Sequence, residues 1–193
     1  MAKQISVFLV AAAVTLLAAC SSTPTLPESA ATRTTTVSPG GGGYYLDDGP
    51  MKGITQEMID ALPEPVPKRE AMNKWTARPY TVMGKTFVPM TEMAPYRAHG
   101  TASWYGTRYH GRKTATGETY DMLQLSAAHP TLPLPSYVRV TNLENGKSVV
   151  VRVNDRGPFL QNRLIDLSYA AARRLDYVSK GSAQVEVELL LPQ

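Results

Sequence analysis

The chain has 193 residues, of which 43% are hydrophobic and 19% are charged, and its formal net charge is +4. This length predicts one globular domain with additional material. The mild positive charge permits an anionic polymer as partner, but no basic stripe alternates with aromatic residues, so nucleic acid is not favoured. The three histidines and the acidic residues show no metal-site spacing, so we expect no metal and no cofactor. The single cysteine excludes an internal disulfide.

The N-terminus has the features of an export signal. Lys3 supplies a positive start, and residues 5–19 are almost wholly apolar, shorter than the ~20 residues of a membrane-spanning helix. The run ends in Leu17-Ala18-Ala19-Cys20, which resembles the bacterial lipobox. We therefore predict a signal peptide over residues 1–19 and a lipid anchor on Cys20. The alternative is an ordinary signal peptide followed by an unrelated cysteine.

The anchor prediction also gives a location. Ser21, and not aspartate, follows Cys20, which in such lipoproteins suggests sorting to the outer membrane. We expect a cell-envelope protein facing the periplasm. Residues 20–43 are rich in Ser, Thr, Pro, Ala and Gly and predict a flexible tether. Residues 44–77 predict an irregular extension with a short helix near residues 55–62, and the sequence does not decide whether it packs on the domain.

The remaining chain has the pattern of a small β domain. Short alternating runs, tight turns and one brief helix predict a compact, mainly β barrel, because closure removes exposed strand edges. The Glu144-Asn145-Gly146-Lys147 stretch between two alternating runs predicts a hairpin. The predicted elements are a hairpin over residues 78–89, strands over 101–105, 137–143, 148–153 and 184–191, and a helix over 169–175 capped by Ser168.

The loop that follows Val153 is a candidate active site. The strand that ends at Val153 runs into Asn154-Asp155-Arg156-Gly157-Pro158, which presents the carboxylate of Asp155 at a strand end. Rigid strands that deliver a polar group to an open loop are a common arrangement in active sites. The alternative is that Asp155 and Arg156 simply begin a turn.

Five ordered motifs connect this loop to a known family. They are Gly100-Thr101-Ala102-Ser103-Trp104-Tyr105-Gly106, the segments 110–118 and 127–133, Asn154-Asp155-Arg156-Gly157-Pro158, and Ile165-Asp166-Leu167-Ser168. Together they resemble the RlpA (rare lipoprotein A) family. The resemblance implies a six-stranded double-psi β barrel within residues 78–193, with its core at about 98–191. It also implies endolytic cleavage of peptidoglycan glycan strands, with a preference for strands that lack stem peptides.

The resemblance also assigns residues. The family's proposed catalytic carboxylate falls on Asp155, and its partners fall on Glu118 and His129. Asp166 matches a position near the groove. From the residues alone, Glu118 is either a loop residue, a ligand of sugar hydroxyls or an orienting partner of His129, and His129 is either functional or structural.

Three aromatic residues are candidates for substrate binding. Trp104, Tyr105 and Tyr109 lie among Ser, Gly and His residues and suit the faces of sugar rings, although Trp104 is equally compatible with the core. The sequence departs from the family pattern where Tyr109 replaces the usual Phe, Thr116 replaces Asn, and Leu134-Pro135-Ser136 replaces Phe-Gly-Thr. These departures affect the groove or a turn, and not the three polar groups.

The implied reaction needs few catalytic groups from the protein. In a lytic transglycosylase the C6 hydroxyl of N-acetylmuramic acid attacks C1 of the same sugar, so a single acid/base is enough. Asp155 suits this role if burial or a neighbouring carboxylate, Asp166 or Glu118, raises its pKa. Arg152 and Arg156 act in the opposite direction, and the sequence leaves the balance open.

Other functions and partners stay open at this stage. Many family members end in a SPOR domain, but none occurs before Gln193, so we do not expect septal targeting by that route. We expect a monomer whose partners are glycan strands and a membrane. The alternatives are a non-catalytic, expansin-like glycan-binding scaffold and a structural lipoprotein that docks a partner protein.

Overall fold

The computed structural model describes residues 48–160 and 162–191. The predicted signal peptide, Cys20 and the tether lie outside these residues. Within them, no helix is both long and apolar enough to cross a membrane. The elements in chain order are α1 Gln56–Asp60, β1 Tyr80–Val82, β2 Lys85–Phe87, β3 Arg97–Tyr105, β4 Ser126–Ala128, β5 Ser136–Asn142, β6 Ser148–Asp155, β7 Ile165–Ser168, α2 Tyr169–Arg174, a 3₁₀ turn Val178–Lys180 and β8 Ala183–Leu189.

Six of the strands close into a barrel in the order β3-β7-β4-β6-β5-β8. Two neighbouring pairs, β3 with β7 and β4 with β6, are parallel, and the other pairs are antiparallel. The predicted hairpin is confirmed, because β5 and β6 pair antiparallel across the Asn145-Gly146 turn. The expected mainly β, six-stranded double-psi barrel with short helices is confirmed.

Alternation of side chains explains why these runs form a barrel. Alternate residues are buried in β8, in β5 from Ser136 to Asn142 and in β6 from Val149 to Val153, and the intervening residues are more exposed, with the buried Tyr137 as the exception in β5. Each buried valine or leucine contributes about 1.5–3 kcal/mol relative to exposure. The fully buried apolar side chains of the barrel strands are Ala102, Ala127, Val138, Val140, Val151, Val153, Ile165, Leu167, Val185 and Val187.

The predicted helix after the barrel motif is confirmed. The Ser168 side chain accepts a hydrogen bond from the Ala171 backbone N–H at 3.3 Å, which caps α2 at its N-terminus. Residues 169–172 and Leu175 are buried, so α2 closes one part of the barrel core.

The extension before the barrel packs on it, which the sequence did not decide. Ile59 of α1 is fully buried in the core, and Arg174 donates to its carbonyl. Glu70 forms an ion pair with Arg152 of β6 at 2.8 Å, and the Asn73 N–H donates to the Leu134 carbonyl at 3.0 Å. These contacts fix the extension to the outer side of the barrel.

The predicted hairpin at residues 78–89 is also confirmed, since β1 and β2 pair antiparallel. Tyr80 and Phe87 stack with ring centroids 5.3 Å apart, and both contact Phe159 in the loop after β6. The hairpin therefore supports the loop that follows Asp155.

Candidate active site

Strand register brings the two candidate aspartates into one row across the barrel. Ser103 of β3 pairs with Asp166 of β7, Asp166 pairs with Ala128 of β4, and Ala128 pairs with Asp155 of β6. Neighbouring strands lie about 4.8 Å apart, so the Asp155 and Asp166 backbones are about 10 Å apart with only the Ala128 methyl group between them. A small residue between two acids leaves room for a cleft.

A bulge in the β4–β6 pairing completes this row. Ala127 pairs with Val153, but the next residue, Ala128, pairs with Asp155, so Asn154 is skipped. Bulges commonly re-aim a side chain near an active site. Here the bulge places Asp155, and not Asn154, opposite Ala128.

An open cleft of about 240 Å³ lies over this row. Its walls come from the loop after β6, the end of β3, the β1–β2 hairpin and the start of the described chain. It is lined by Asp48, Met83, Trp104, Tyr105, Tyr109, Ala128, Asp155, Arg156, Gly157, Pro158, Phe159, Leu160, Arg163 and Asp166. A mainly apolar wall with a few converging charged groups is typical of a ligand-binding site.

Asp155 is held by one of its two carboxylate oxygens. Oδ1 accepts hydrogen bonds from the backbone N–H groups of Ala115 and Arg156, both at 2.8 Å. Oδ2 accepts none from the described residues and is therefore available to a ligand. Burial raises the pKa of Asp155 above its usual value, although the two N–H bonds and Arg156 act in the opposite direction. Such a carboxyl group is suited to donate and accept a proton.

Burial, and not a neighbouring carboxylate, is what raises the pKa of Asp155. Arg152 and Arg156, whose positive charges would lower this pKa, direct their hydrogen bonds to other groups. Arg152 forms ion pairs with Glu70 and Glu118. Arg156 donates to the carbonyl oxygens of His129, Leu132 and Thr76 at 2.7–3.0 Å and makes no ion pair with Asp155 among the described residues.

Glu118 lies beside the strand that carries Asp155, and not among the residues that line the cleft. Its two oxygens accept hydrogen bonds from Arg152 Nη1 at 2.9 and 2.7 Å, and Oε2 accepts one from Asn154 Nδ2 at 2.8 Å. Burial raises the pKa of Glu118, but the bonds from Arg152 and Asn154 outweigh it and hold the pKa below its usual value. Glu118 is thus an ionised carboxylate that fixes the residue before Asp155.

His129 is also close to Asp155, but through the main chain. Its backbone N–H donates to the Asp155 carbonyl at 3.0 Å. The imidazole is 1% exposed and does not line the cleft. Nδ1 accepts from the N–H groups of Thr131 and Leu132 at 3.1 and 3.0 Å, so Nε2 carries the proton and donates to the Tyr96 hydroxyl at 3.2 Å.

The protonation state of His129 follows from its surroundings. Burial, assisted by the positive charge of Arg156, lowers its pKa to about 3. The imidazole is therefore neutral at physiological pH, and both of its nitrogens are occupied by protein groups. The imidazole of His129 bonds within the 129–132 turn, and its role in catalysis stays a prediction.

Asp166 lies in the cleft within a small polar cluster. It accepts a hydrogen bond from the Ser103 hydroxyl at 2.6 Å, and Arg163 Nη2 lies 3.4 Å from its other oxygen. Burial raises the pKa of Asp166, while Arg163 and Ser103 offset part of the effect. The predicted position of Asp166 near the groove agrees with this placement.

All three aromatic candidates line the cleft, but to different degrees. Trp104 and Tyr109 are half-buried, and Trp104 packs on Tyr169 with centroids 5.6 Å apart. Tyr105 is buried between Tyr109 and Tyr120, and none of the described residues forms a hydrogen bond of normal geometry with its hydroxyl. Trp104 therefore serves both the core and the cleft wall, which combines the two alternatives drawn from the sequence.

Sequence reasoning missed Asp48. This residue is 5% exposed and lines the cleft although it lies 49 residues before the barrel's first strand (97 − 48 = 49). Its carboxylate accepts hydrogen bonds from the backbone N–H groups of Gly106 at 2.7 Å and Arg108 at 2.9 Å. A Cβ on Gly106 would approach the Gly49 carbonyl oxygen to 2.3 Å, so only glycine fits under this segment. Nothing local distinguishes Asp48 from an ordinary turn residue.

We expect Asp48→Asn to lower the free energy of unfolding by about 1 kcal/mol. The amide has one acceptor oxygen, so its nitrogen must face one of the two N–H donors that the carboxylate now satisfies. The loop that carries Tyr109 would loosen, and glycan binding would weaken. Urea denaturation and a glycan-binding titration measure both effects. Asp60→Asn, an exposed change in α1, is the matched control, and equal stability of the two variants would contradict the prediction.

Comparison with known proteins assigns the domain to a class. Residues 97–187 match the family model described as lytic transglycolase. A relative from Pseudomonas aeruginosa, "Endolytic peptidoglycan transglycosylase RlpA", is 65% identical over 116 residues. A relative of the same name from Neisseria meningitidis is 52% identical over 138 residues. The barrel domain is therefore similar to lytic transglycolase domains, and over this domain the chain is similar to proteins named RlpA.

The matches cover the barrel and only part of each relative. The first covers 60% of this chain and 34% of the Pseudomonas relative, and the second covers 72% of this chain and 58% of the Neisseria relative. Among solved structures, Streptomyces papain inhibitor is 24% identical, with a TM-score of 0.42 over 50% of this chain and 96% of that chain.

Proposed function

We propose that this protein is an endolytic lytic transglycosylase of peptidoglycan. It cleaves the β-1,4 linkage from N-acetylmuramic acid to N-acetylglucosamine and leaves 1,6-anhydro ends, preferentially in strands without stem peptides. The observation that carries the proposal is Asp155, a partly buried carboxyl group with a raised pKa in an open cleft, one of whose oxygens accepts no hydrogen bond from the described residues. The name of the 65% identical relative supports the same reaction.

The proposed reaction uses Asp155 twice. Protonated Asp155 gives its proton to the glycosidic oxygen as the C1–O4 bond breaks. The C6 hydroxyl of the same sugar then forms the C1–O6 bond, and its proton returns to Asp155. The nucleophile belongs to the substrate, so water is not consumed and a second catalytic carboxylate is not needed.

Glu118 and His129 act in this proposal as positioning residues. Glu118 holds Asn154, the residue that the bulge skips, and His129 pairs with the Asp155 main chain. Both therefore fix the direction in which the Asp155 carboxyl group points. A small misplacement of a catalytic group costs a large part of its rate enhancement.

The cleft walls suit a sugar chain. Trp104, Tyr105 and Tyr109 supply aromatic surface for the C–H faces of sugar rings, and Asp166 supplies an acceptor for hydroxyl or amide groups. The apolar side chains of Met83 and Leu160 extend this surface at the mouth of the cleft.

The cellular role follows from the proposed reaction and the N-terminal pattern. We place the domain in the cell envelope as a monomer, attached to a membrane by a lipid on Cys20 after removal of residues 1–19. The outer membrane is the proposed site, with residues 20–43 as the tether to an irregular 44–77 segment and the barrel domain of 78–193. There it would contribute to cell-wall remodelling or the separation of daughter cells.

Product analysis tests the proposal directly. The wild-type protein is incubated with glycan strands from which an amidase has removed the stem peptides, and the products are identified by mass spectrometry. We expect internal cleavage with 1,6-anhydro ends and no water added. Products with reducing ends would indicate hydrolysis. Binding without any cleavage would favour an expansin-like glycan-binding module, and neither binding nor cleavage would favour a protein-docking role.

A further inference from the structure

Two arginines line the cleft, and within the described residues they differ in how their terminal nitrogens are used. Arg156 directs its two terminal nitrogens to three backbone carbonyls. Arg163 donates through Nη1 to the Ser103 hydroxyl at 2.6 Å. Its Nη2 forms an ion pair with Asp166 at 3.4 Å but makes no hydrogen bond to a described residue. The Nε atoms of both arginines are buried without a partner among these residues and do not distinguish them.

This leaves Arg163 incompletely satisfied in the described part of the chain. A guanidinium group has five N–H donors, and buried donors in folded proteins nearly always have acceptors. The Arg163 side chain is 24% exposed and lines the same cleft as Asp155. A ligand in the cleft cannot reach the buried Nε, but an anion can accept hydrogen bonds from the terminal nitrogen Nη2, and a carboxylate suits a guanidinium in both shape and charge.

The substrate of the proposed function has such a group at a suitable place. N-acetylmuramic acid carries a lactyl ether on C3 of the ring whose C1 is attacked. In a strand without stem peptides this ether ends in a free carboxylate. In a peptide-bearing strand the same carbon is an amide, which is neutral and offers one oxygen and one N–H.

We propose that Arg163 is the receptor for the free lactyl carboxylate and thereby selects strands that lack stem peptides. Ser103 and Asp166 hold the guanidinium in place, and the Arg163 side chain, 24% exposed, keeps part of its surface at the cleft. The inference rests on the proposed function, which it deepens by naming the substrate group that is recognised. The selectivity for strands without stem peptides would then rest on the charge of the lactyl group in addition to the size of the peptide.

The test compares two forms of the same strand. Amidase-treated strands are used directly or after carbodiimide coupling to methylamine, which neutralises the lactyl carboxylate with little added bulk. We expect kcat/KM of the wild-type protein to fall about 10- to 100-fold on the methylamidated strands, the range for a hydrogen-bonded charge. Equal values on the two strands would overturn the inference.

Two variants locate the effect. Arg163→Gln should cleave both strands at similar low rates, while Arg163→Lys, which keeps the charge, should retain part of the preference. A preference that persists unchanged in Arg163→Gln would overturn the assignment to this residue. Circular dichroism and thermal melting of both variants separate lost selectivity from lost folding, and the wild-type comparison of strands needs no variant.

A binding measurement makes the inference independent of catalysis. Fluorescence anisotropy with labelled strands gives Kd for the Asp155→Asn protein on both forms. We expect Kd to rise about 10- to 100-fold on methylamidation. If the wild-type protein binds free strands preferentially but cleaves nothing, the proposed function fails and the receptor stands. If the wild-type protein cleaves strands but binds both forms equally, the proposed function stands and the assignment of Arg163 as receptor fails.

Discussion

Replacement of Asp155 by asparagine is expected to lower the rate of strand cleavage by about 10³-fold, the usual contribution of a general acid/base. The amide cannot give a proton to the glycosidic oxygen or take one from the C6 hydroxyl. The fold should persist, because the asparagine oxygen can still accept the N–H bonds of Ala115 and Arg156 that now reach Oδ1. Quantification of 1,6-anhydro ends under single-turnover conditions measures the loss.

A matched change separates this effect from general damage. Asp121 is a partly exposed aspartate that accepts a backbone N–H bond from Leu123 at 2.9 Å and does not line the cleft. Asp121→Asn should keep wild-type activity within about twofold, as expected of a surface change. Activity of Asp155→Asn within the same range would show that another group transfers the proton, and the proposed mechanism would fail.

Binding should respond differently from the rate. An asparagine oxygen can accept the two backbone bonds that Asp155 accepts, and asparagine is close in size and charge to the protonated aspartic acid that the proposed reaction uses. We therefore expect Asp155→Asn to bind strands nearly as well as the wild type. A loss confined to kcat is the signature of a group that acts in the transition state.

The parts of the fold that sequence could predict are those with local signals. Alternating valines, an Asn-Gly turn and a serine cap gave β5, β6, β8 and α2 close to their observed bounds. β4, with three small or apolar residues Ser126–Ala128, has no pattern of its own and exists because β6 and β7 pair with it on either side. Such a strand is a product of tertiary pairing.

The same distinction applies to the site. Asp155 could be predicted because a strand visibly ends there, and family motifs point to it. Asp48 and Arg163 could not be predicted, because their roles in the site depend on distant partners. Asp48 binds Gly106, 58 residues away, and Arg163 binds Ser103, 60 residues away. The row from Ser103 to Asp155 likewise depends on a bulge that no local pattern signals. Only barrel closure brings these groups into one cleft.

Family resemblance points to His129 as a partner in catalysis, and the structure makes a sharper prediction about its protonation. Its pKa is lowered to about 3 in the folded protein, against an ordinary value of 6.5. The unfolded chain therefore binds a proton at this residue between these two pH values, and the folded protein does not. Stability from this residue is complete above pH 6.5 and is lost as the pH falls towards 3.

The expected loss from His129 alone is about 3 kcal/mol between pH 7 and pH 4. His129→Asn isolates it, because an asparagine oxygen can accept the N–H bonds of Thr131 and Leu132 that Nδ1 now accepts. Between pH 7 and pH 4, the free energy of unfolding should therefore fall by about 3 kcal/mol less in the variant than in the wild type. All other titrating groups are common to both proteins, so their contributions cancel in the difference.

The same variant decides whether His129 carries protons in the reaction. A general base with a pKa near 6 would give the wild-type rate an acid limb in that range, which His129→Asn would remove. A histidine that only shapes the turn next to Asp155 leaves the form of the pH–rate profile unchanged and lowers its height. Parallel profiles with a stability difference in acid would make His129 a positioning residue, because both nitrogens of the neutral imidazole are bonded to protein groups and the ring does not line the cleft. Parallel stability curves would instead mean that the imidazole is charged in the folded protein, contrary to its burial.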